Sequence, residues 1–268
     1  RAAVGANAAR ALTAPLQTLR SVVAPSAMDS FQDGHPWWTE VNFGAPGLIG
    51  GAAKGAPAVI VIQEWWGITD IVKAHALKIA KEGGYRVLIP DIYKGKQGVD
   101  VEEAHHLMSN LDFPAAVKEI SAAAAYLKQE GAPAVGITGF CMGGALTLGA
   151  LAASPDLKCG VTFYGANFGL FEAAQLATKP VQGHFGEQDA MEGFSDPPTA
   201  QKLQADLRAA GNAAAEVFIY PGVGAHAVPP TVLPRTPSHQ RRTNAPPRTR
   251  LAARARTLAW RETWEEHF

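Results

Sequence analysis

Short apolar runs alternate along this chain with longer segments in which apolar positions recur at helical spacing. The runs at residues 58–63, 86–90, 134–138, 159–164, 181–185 and 216–220 predict strands, the first of them buried on both faces. Helices are predicted over residues 70–84, 112–130, 142–153 and 198–210. This alternation predicts an α/β fold, with a doubly wound, mostly parallel sheet and helices on both faces. Because such sheets bind ligands beyond the carboxyl ends of their strands, candidate functional residues should follow strands.

The composition is that of an ordinary globular protein, with 268 residues, 47% hydrophobic and 18% charged. This length predicts one large α/β domain over residues 29–268, and no apolar stretch is long enough to predict a transmembrane helix. Two cysteines, Cys141 and Cys159, are too few for a disulfide framework and lack zinc-site spacing. We therefore predict free thiols, no metal, no cofactor and no membrane partner, and we expect a cytoplasmic monomer.

Residues 1–28 contain three arginines and no acidic residue, and they are rich in Ala and Ser. This composition is typical of an organellar transit peptide, which would direct the protein to a mitochondrion or a chloroplast. It also fits a disordered Ala-rich leader, or a mis-assigned start with Met28 as the true first residue. Under each interpretation the segment 1–28 is expected to lie outside the folded domain.

The chemically most informative motif is the turn Gly-Phe-Cys-Met-Gly-Gly at residues 139–144, between a predicted strand and a predicted helix. A Gly-x-nucleophile-x-Gly sequence in this position forms a tight turn that presents the nucleophile at the edge of the sheet. The next backbone N–H then points at a developing oxyanion, and the helix N-terminus is expected to favour the thiolate of Cys141. The alternative is a buried cysteine at a glycine-rich packing contact between strand and helix.

This turn resembles the nucleophile elbow of the dienelactone hydrolase family, in which cysteine replaces the usual serine. Four further segments are similar to that family in the same order: Gln-Glu-Trp-Trp-Gly at 63–67, Pro-Asp-Ile-Tyr at 90–93, His-Phe-Gly-Glu-Gln-Asp at 184–189 and Tyr-Pro-Gly-Val-Gly at 220–224. The likeness extends from about residue 38 to residue 224. It implies an α/β-hydrolase fold and the hydrolysis of a small ester or lactone.

Asp189 and His226 are the candidate partners of Cys141, because nucleophile, acid and histidine follow one another in this order in α/β-hydrolases. Asp189 would hold the imidazole in one tautomer, although an Asp in a turn can also bind its own backbone. The histidine is expected directly after Gly224, but Ala225 intervenes before His226. One extra residue in a turn can move a side chain out of hydrogen-bond reach.

The resemblance also assigns roles to the loop after the first core strand. It implies that Glu64 takes the thiol proton as substrate enters, which an ordinary cysteine with a pKa of ~8.5 requires at neutral pH. The backbone N–H groups of Trp65 and Met142 would then form the oxyanion hole. Glu64 comes one residue, Gln63, after a run of five apolar residues, which is an unusual position for a merely solvated acid.

Candidate substrate-binding residues follow the same strands: Trp66, Tyr93, Lys94, Lys96, Phe140 and Tyr164. The aromatic side chains could line an apolar pocket or belong to the core. Lys94 and Lys96 occupy the stretch where bacterial dienelactone hydrolases have an arginine, and a second arginine expected after the histidine is absent, the nearest being Arg235. Lysine can hold a carboxylate as a point charge but not by a bidentate fork, so this departure places the dienelactone substrate itself in doubt.

The segment 225–258 has a different character, with seven arginines, six prolines and no acidic residue. It is interpreted either as a translated intron or wrong reading frame, or as an exposed basic loop. It contains no nucleic-acid-binding motif and few aromatic residues, so we expect no nucleic-acid partner.

The residues together predict a carboxylic ester or lactone hydrolase that works through an acyl-cysteine intermediate and a Cys-His-Asp triad. The alternative hypothesis is a catalytically impaired protein of the α/β-hydrolase fold that binds a ligand without turning it over.

Overall fold

The computed structural model describes residues 37–166 and 169–224. The predicted leader 1–28, the candidate histidine His226 and the segment 225–258 lie outside the described residues, so these three predictions stay predictions. In the described part of the chain, eight strands form one sheet and five α-helices connect them.

The element bounds follow the order of the chain. The strands are β1 (Thr39–Asn42), β2 (Pro46–Gly51), β3 (Ala58–Ile62), β4 (Arg86–Pro90), β5 (Val135–Phe140), β6 (Leu157–Phe163), β7 (Val181–Gly186) and β8 (Glu216–Tyr220). The helices are α1 (Asp70–Gly83), α2 (Val101–Ser109), α3 (Phe113–Gln129), α4 (Met142–Ala153) and α5 (Pro197–Ala209), and a short 3-10 helix spans Ala173–Leu176.

The strand order across the sheet is β1-β2-β4-β3-β5-β6-β7-β8. All neighbouring pairs from β4 to β8 are parallel, whereas β2 is antiparallel to both β1 and β4. The predicted doubly wound, mostly parallel sheet is therefore confirmed, and each predicted strand and helix is present within a few residues of its expected bounds. The sequence pattern does not predict β1, β2 or α2. Their apolar signal is weak, because β1 is mostly exposed, β2 contains three glycines and α2 buries only Ala104.

Burial on both faces explains the continuous apolar run of β3. Val59 and Val61 pack with the buried residues of α1, whereas Ile60 and Ile62 pack with those of α3 and α4 on the other face. Alternate side chains of a strand point to opposite faces, so a central strand covered on both sides needs apolar residues throughout. This packing places the carboxyl ends of β3, β5 and β6 side by side at one edge of the sheet, where the candidate residues follow.

Candidate active site

Cys141 occupies a strained position between β5 and α4. Its φ of 55° and ψ of −121° lie in a region that residues with a Cβ rarely adopt. The conformation is held from both sides, since the Cys141 N–H donates to the Phe163 carbonyl at 3.0 Å and its own carbonyl accepts from the Gly144 N–H at 2.8 Å. The expected tight turn between strand and helix is present, with Cys141 at the N-cap of α4.

The glycines around Cys141 are explained by close backbone approaches. A Cβ on Gly139 would lie 2.2 Å from the Gly143 carbonyl oxygen, and one on Gly143 would lie 2.4 Å from that of Gln63. A Cβ on Gly144 would lie 2.6 Å from Thr162 Oγ1. Because carbon atoms in contact need well over 3 Å, only glycine lets the turn approach β3 and β6 this closely.

Glu64 follows β3 and is half-buried. Its Oε1 accepts a hydrogen bond of 2.9 Å from the hydroxyl of Tyr164, which follows β6 and has a φ of 39°. Burial, together with the charge of Glu64, raises the pKa of Tyr164, so its hydroxyl remains a donor across the physiological range. The contact joins residues 100 positions apart, and the sequence identifies each residue as a candidate without pairing them.

The environment of Cys141 stabilises the thiol, not the thiolate. Burial raises the pKa of Cys141 to about 12, and the charges of Glu64 and Asp189 add to the increase, whereas a hydrogen bond from the Met142 backbone amide opposes it. The Met142 amide at the helix N-terminus acts in the predicted direction, towards the thiolate, but it does not determine the ionisation of the empty site. Removing the thiol from water and placing it near two acids outweighs the hydrogen bond of this one amide.

The raised pKa of Cys141 predicts how it reacts with an alkylating agent. Between about pH 7 and pH 9 the rate of iodoacetamide labelling should rise ~tenfold per pH unit, because the thiolate fraction grows tenfold per unit below the pKa. The rate is followed by mass spectrometry of the peptide containing Cys141, with glutathione as the reference thiol. A plateau near pH ~8.5, as for an unperturbed thiol, would show that Cys141 is not shifted.

Asp189 follows β7 and is only 4% exposed. Its Oδ1 accepts from the Met191 N–H at 3.0 Å, which is the self-binding turn that the sequence left open as an alternative. Its Oδ2 is buried and has no hydrogen-bond partner among residues 37–166 and 169–224. A buried carboxylate oxygen normally has a donor, so the second oxygen remains available for one.

The turn that carries Asp189 is joined to the segment that leads towards residue 226. The Glu187 N–H donates to the Tyr220 carbonyl at 3.0 Å, and the Gln188 N–H donates to the Val223 carbonyl at 2.8 Å. The Gly222 N–H in turn donates to Glu187 Oε2 at 2.9 Å. Pairing of His226 with Asp189 stays a prediction, since His226 is outside the described residues.

A second histidine of this region is fully occupied. His184 on β7 is buried, with its Nδ1 2.7 Å from the Tyr220 hydroxyl and its Nε2 2.9 Å from Gln182 Oε1. Its ring stacks between those of Phe163 and Phe218, and burial lowers its pKa to about 3. His184 is therefore a neutral packing residue that has no free nitrogen for Cys141.

His75 on α1 is a histidine that the sequence analysis did not single out. Its ring centroid lies 4.8 Å from that of Phe140, the residue before Cys141, and the charge of Glu64 acts on its pKa, which burial lowers. Its place among the apolar residues of an amphipathic helix gave no signal of this proximity. Only the packing of α1 against the carboxyl ends of the strands brings His75 to the site.

The aromatic candidates divide into core and rim. Phe140 is 2% exposed and stacks on Phe163 at a centroid distance of 4.9 Å, so it belongs to the core beneath the turn. Tyr93 is also buried, and its hydroxyl donates to Met142 Sδ at 3.3 Å. Trp65 and Trp66 are half-buried and meet edge to face at 5.1 Å, which leaves part of both rings exposed beside Glu64.

The two lysine candidates are both at the surface. Lys94 lies after β4 in a left-handed conformation, and its Nζ forms an ion pair with Glu119 of α3. Lys96 is exposed in the same loop. The pairing with Glu119 counts against the expectation that Lys94 holds a substrate carboxylate, because its charge is already neutralised.

Two further findings concern the described ranges alone. Among residues 37–166 and 169–224, no group of three or more His, Cys, Asp or Glu side chains could hold a metal ion. No helix in the same ranges is long and apolar enough to cross a membrane.

Comparison with known proteins agrees with this architecture. The family model described as "Dienelactone hydrolase family" matches residues 46–261, and the chain therefore belongs to the dienelactone hydrolase family, a family of hydrolases. The crystal structure of "Putative Dienelactone Hydrolase" from Klebsiella pneumoniae superposes with a TM-score of 0.63 and 25% identity, covering 83% of this chain and 97% of that one. The sequence resemblance and the expected fold are thereby confirmed.

Two proteins of similar sequence also carry the names of ester or lactone hydrolases. The chain is 30% identical over 190 residues to "Putative carboxymethylenebutenolidase" of Salmonella typhimurium, covering 65% of this chain and 68% of that protein. Over 149 residues it is 32% identical to "Probable 2-oxo-3-(5-oxofuran-2-ylidene)propanoate lactonase" of a Bradyrhizobium species, covering 50% of this chain and 59% of that protein. These relatives support the prediction of an ester or lactone hydrolase.

Proposed function

We propose that this protein hydrolyses a small carboxylic ester or lactone through an acyl-cysteine intermediate, with Cys141 as nucleophile. The observation that carries the proposal is the left-handed conformation of Cys141 at the junction of β5 and α4, with Met142 N–H beside its sulfur and Glu64 nearby. A cysteine that only filled space would not require this strained backbone.

The first half-reaction acylates Cys141. Substrate entry brings Glu64 and the thiol together, Glu64 takes the proton, and the thiolate attacks the carbonyl carbon. The developing oxyanion accepts hydrogen bonds from the backbone N–H groups of Trp65 and Met142. The carbon–oxygen bond then breaks, and the leaving oxygen takes the proton that Glu64 had received. Because the pKa of Cys141 is raised to about 12, this transfer is required before attack can occur.

The second half-reaction releases the acid. His226, oriented by Asp189, removes a proton from water as the water attacks the thioester carbonyl. The carbon–sulfur bond breaks, and the proton returns to the sulfur of Cys141. The unpartnered, buried Oδ2 of Asp189 supports this assignment, since it can accept from the imidazole N–H. Trp66 would contact the substrate beside the thiol.

The proposal is tested by trapping the intermediate. Brief incubation with p-nitrophenyl acetate followed by acid quenching should leave one acetyl group on the peptide that contains Cys141, detected by mass spectrometry. The peptide with Cys159, which is buried on β6, should stay unmodified and serves as the internal control. Turnover with no adduct at Cys141 would contradict the acyl-cysteine route. Absence of both turnover and adduct would favour the alternative, an impaired protein of this fold that binds its ligand, which the raised pKa of Cys141 also fits.

A further inference from the structure

The charges close to Cys141 are negative. Within residues 37–166 and 169–224, Glu64 and Asp189 are the two charged side chains that act on the thiol, and both raise its pKa. Glu64 is held as a hydrogen-bond acceptor by the hydroxyl of Tyr164. Asp189 is buried with one oxygen unpartnered in this part of the chain. A substrate anion beside the thiol would therefore be repelled by both carboxylates.

Lys94, one of the two candidate cations, is already paired. Lys94 forms its ion pair with Glu119, and its side chain lies at the surface, 46% exposed. The Gly95 N–H of the same loop donates to the carboxylate of Asp91 at 2.6 Å, which adds a further acid to this edge of the sheet. The loop after β4 thus presents a paired lysine, the acid Asp91 and the exposed Lys96, and none of them offers the bidentate fork of an arginine.

In contrast to the loop after β4, the loop after β3, beside Glu64, presents apolar side chains. Trp65 and Trp66 form an edge-to-face pair there, and the Trp66 carbonyl accepts from the Gly98 N–H at 2.9 Å. This hydrogen bond joins the loop after β3 to the loop after β4. Exposed apolar side chains flank the joined loops: Ile71 is 62%, Val99 86% and Val101 62% exposed. Large apolar side chains exposed together commonly mark a binding surface.

We infer that the site selects an uncharged ester or lactone with an apolar acyl group and discriminates against substrates whose acyl group carries a carboxylate. This inference rests on the proposed function. It depends on two features that lie next to each other in the site. Glu64 and Asp189 repel an anion at the thiol, and the Trp65–Trp66 loop contacts the apolar acyl chain. Lys94, in the stretch where bacterial dienelactone hydrolases have an arginine, is engaged with Glu119 and offers no bidentate fork to a substrate carboxylate.

The test compares two esters that differ only at the far end of the acyl chain. They are p-nitrophenyl hexanoate, which ends in a methyl group, and the mono-p-nitrophenyl ester of adipic acid, which ends in a carboxylate. With the full chain, kcat/KM is expected to be at least ~tenfold higher for the hexanoate, given like charges separated by several ångströms. Raising NaCl from ~0.02 to ~0.5 M should narrow the difference, because salt screens the repulsion but leaves the neutral ester unaffected.

The variant Lys94→Ala provides a second comparison. It is expected to change kcat/KM for both esters by the same factor, because Lys94 is engaged with Glu119. A selective loss on the adipate ester would show that Lys94 binds the carboxylate and would overturn the inference. The inference would also be overturned if the protein hydrolysed both esters well above the rate of the Cys141→Ala variant and the adipate ester reacted as fast as the hexanoate or faster. If neither ester is hydrolysed above that background, the proposed function fails and the inference fails with it.

Discussion

Replacing Cys141 by alanine is expected to lower kcat for p-nitrophenyl ester hydrolysis by at least ~10³-fold, to the level left by the oxyanion donors alone. Alanine keeps the backbone amides of Trp65 and Met142 but removes the sulfur on which the acyl group would be carried. Initial rates of nitrophenolate release, with the buffer rate subtracted, measure the effect.

The matched control is Cys159→Ala. Cys159 is also a buried free thiol whose pKa burial raises to about 12, but it lies near the amino end of β6, away from the candidate residues. This variant should retain at least about half of the wild-type kcat, and its loss of stability should be that of a small cavity, ~1–2 kcal/mol. A Cys141→Ala protein that folds normally and keeps wild-type turnover would show that Cys141 is not the nucleophile.

Replacing Asp189 by asparagine is the second large prediction, with an expected fall in kcat of ~10³–10⁴-fold. The amide keeps the shape of the side chain, but it no longer fixes the tautomer of the partner histidine or stabilises its imidazolium. The charge of Asp189 also raises the pKa of Cys141, so the same variant should lower that pKa. Steady-state kinetics should show the fall in kcat. The pH profile of iodoacetamide labelling should show the lower pKa as faster labelling of Cys141 at a given pH.

The two readouts separate a role in the reaction from a role in folding. Asp196 offers the control, since it is also buried and lies on the same segment, at the N-cap of α5. Its Oδ1 accepts hydrogen bonds from the Gly193 N–H before α5 and from the Thr199 hydroxyl in the first turn of α5. Asp196→Asn should change both stability and kcat little, because asparagine is about as good an N-cap residue as aspartate. Equal losses of kcat in the two variants would mean that Asp189 acts only through the fold.

Three contacts between residues that are distant in the sequence shape the candidate active site. The hydrogen bond of Tyr164 to Glu64, the ion pair of Lys94 with Glu119 and the packing of His75 on Phe140 are all made across elements. None of these pairings has a spacing signature, because strand order and helix packing, not chain distance, determine which side chains meet. The raised pKa of Cys141 has the same origin, since burial depends on everything packed above the turn.

The sequence by itself determined the order of the core strands and helices and the strand–turn–helix at residues 139–144, because these depend on local periodicity and on glycines at positions without room for a Cβ. The family followed from the resemblance of five sequence segments, and the family model confirms it. The cytoplasmic location, the monomeric state and the role of His226 stay predictions from the sequence. Only the tertiary structure decided the antiparallel strands β1 and β2, the ionisation of Cys141 and the acidic, apolar surroundings of its sulfur. Those properties arise from desolvation and charge proximity, which exist only once residues far apart in the chain are brought within a few ångströms.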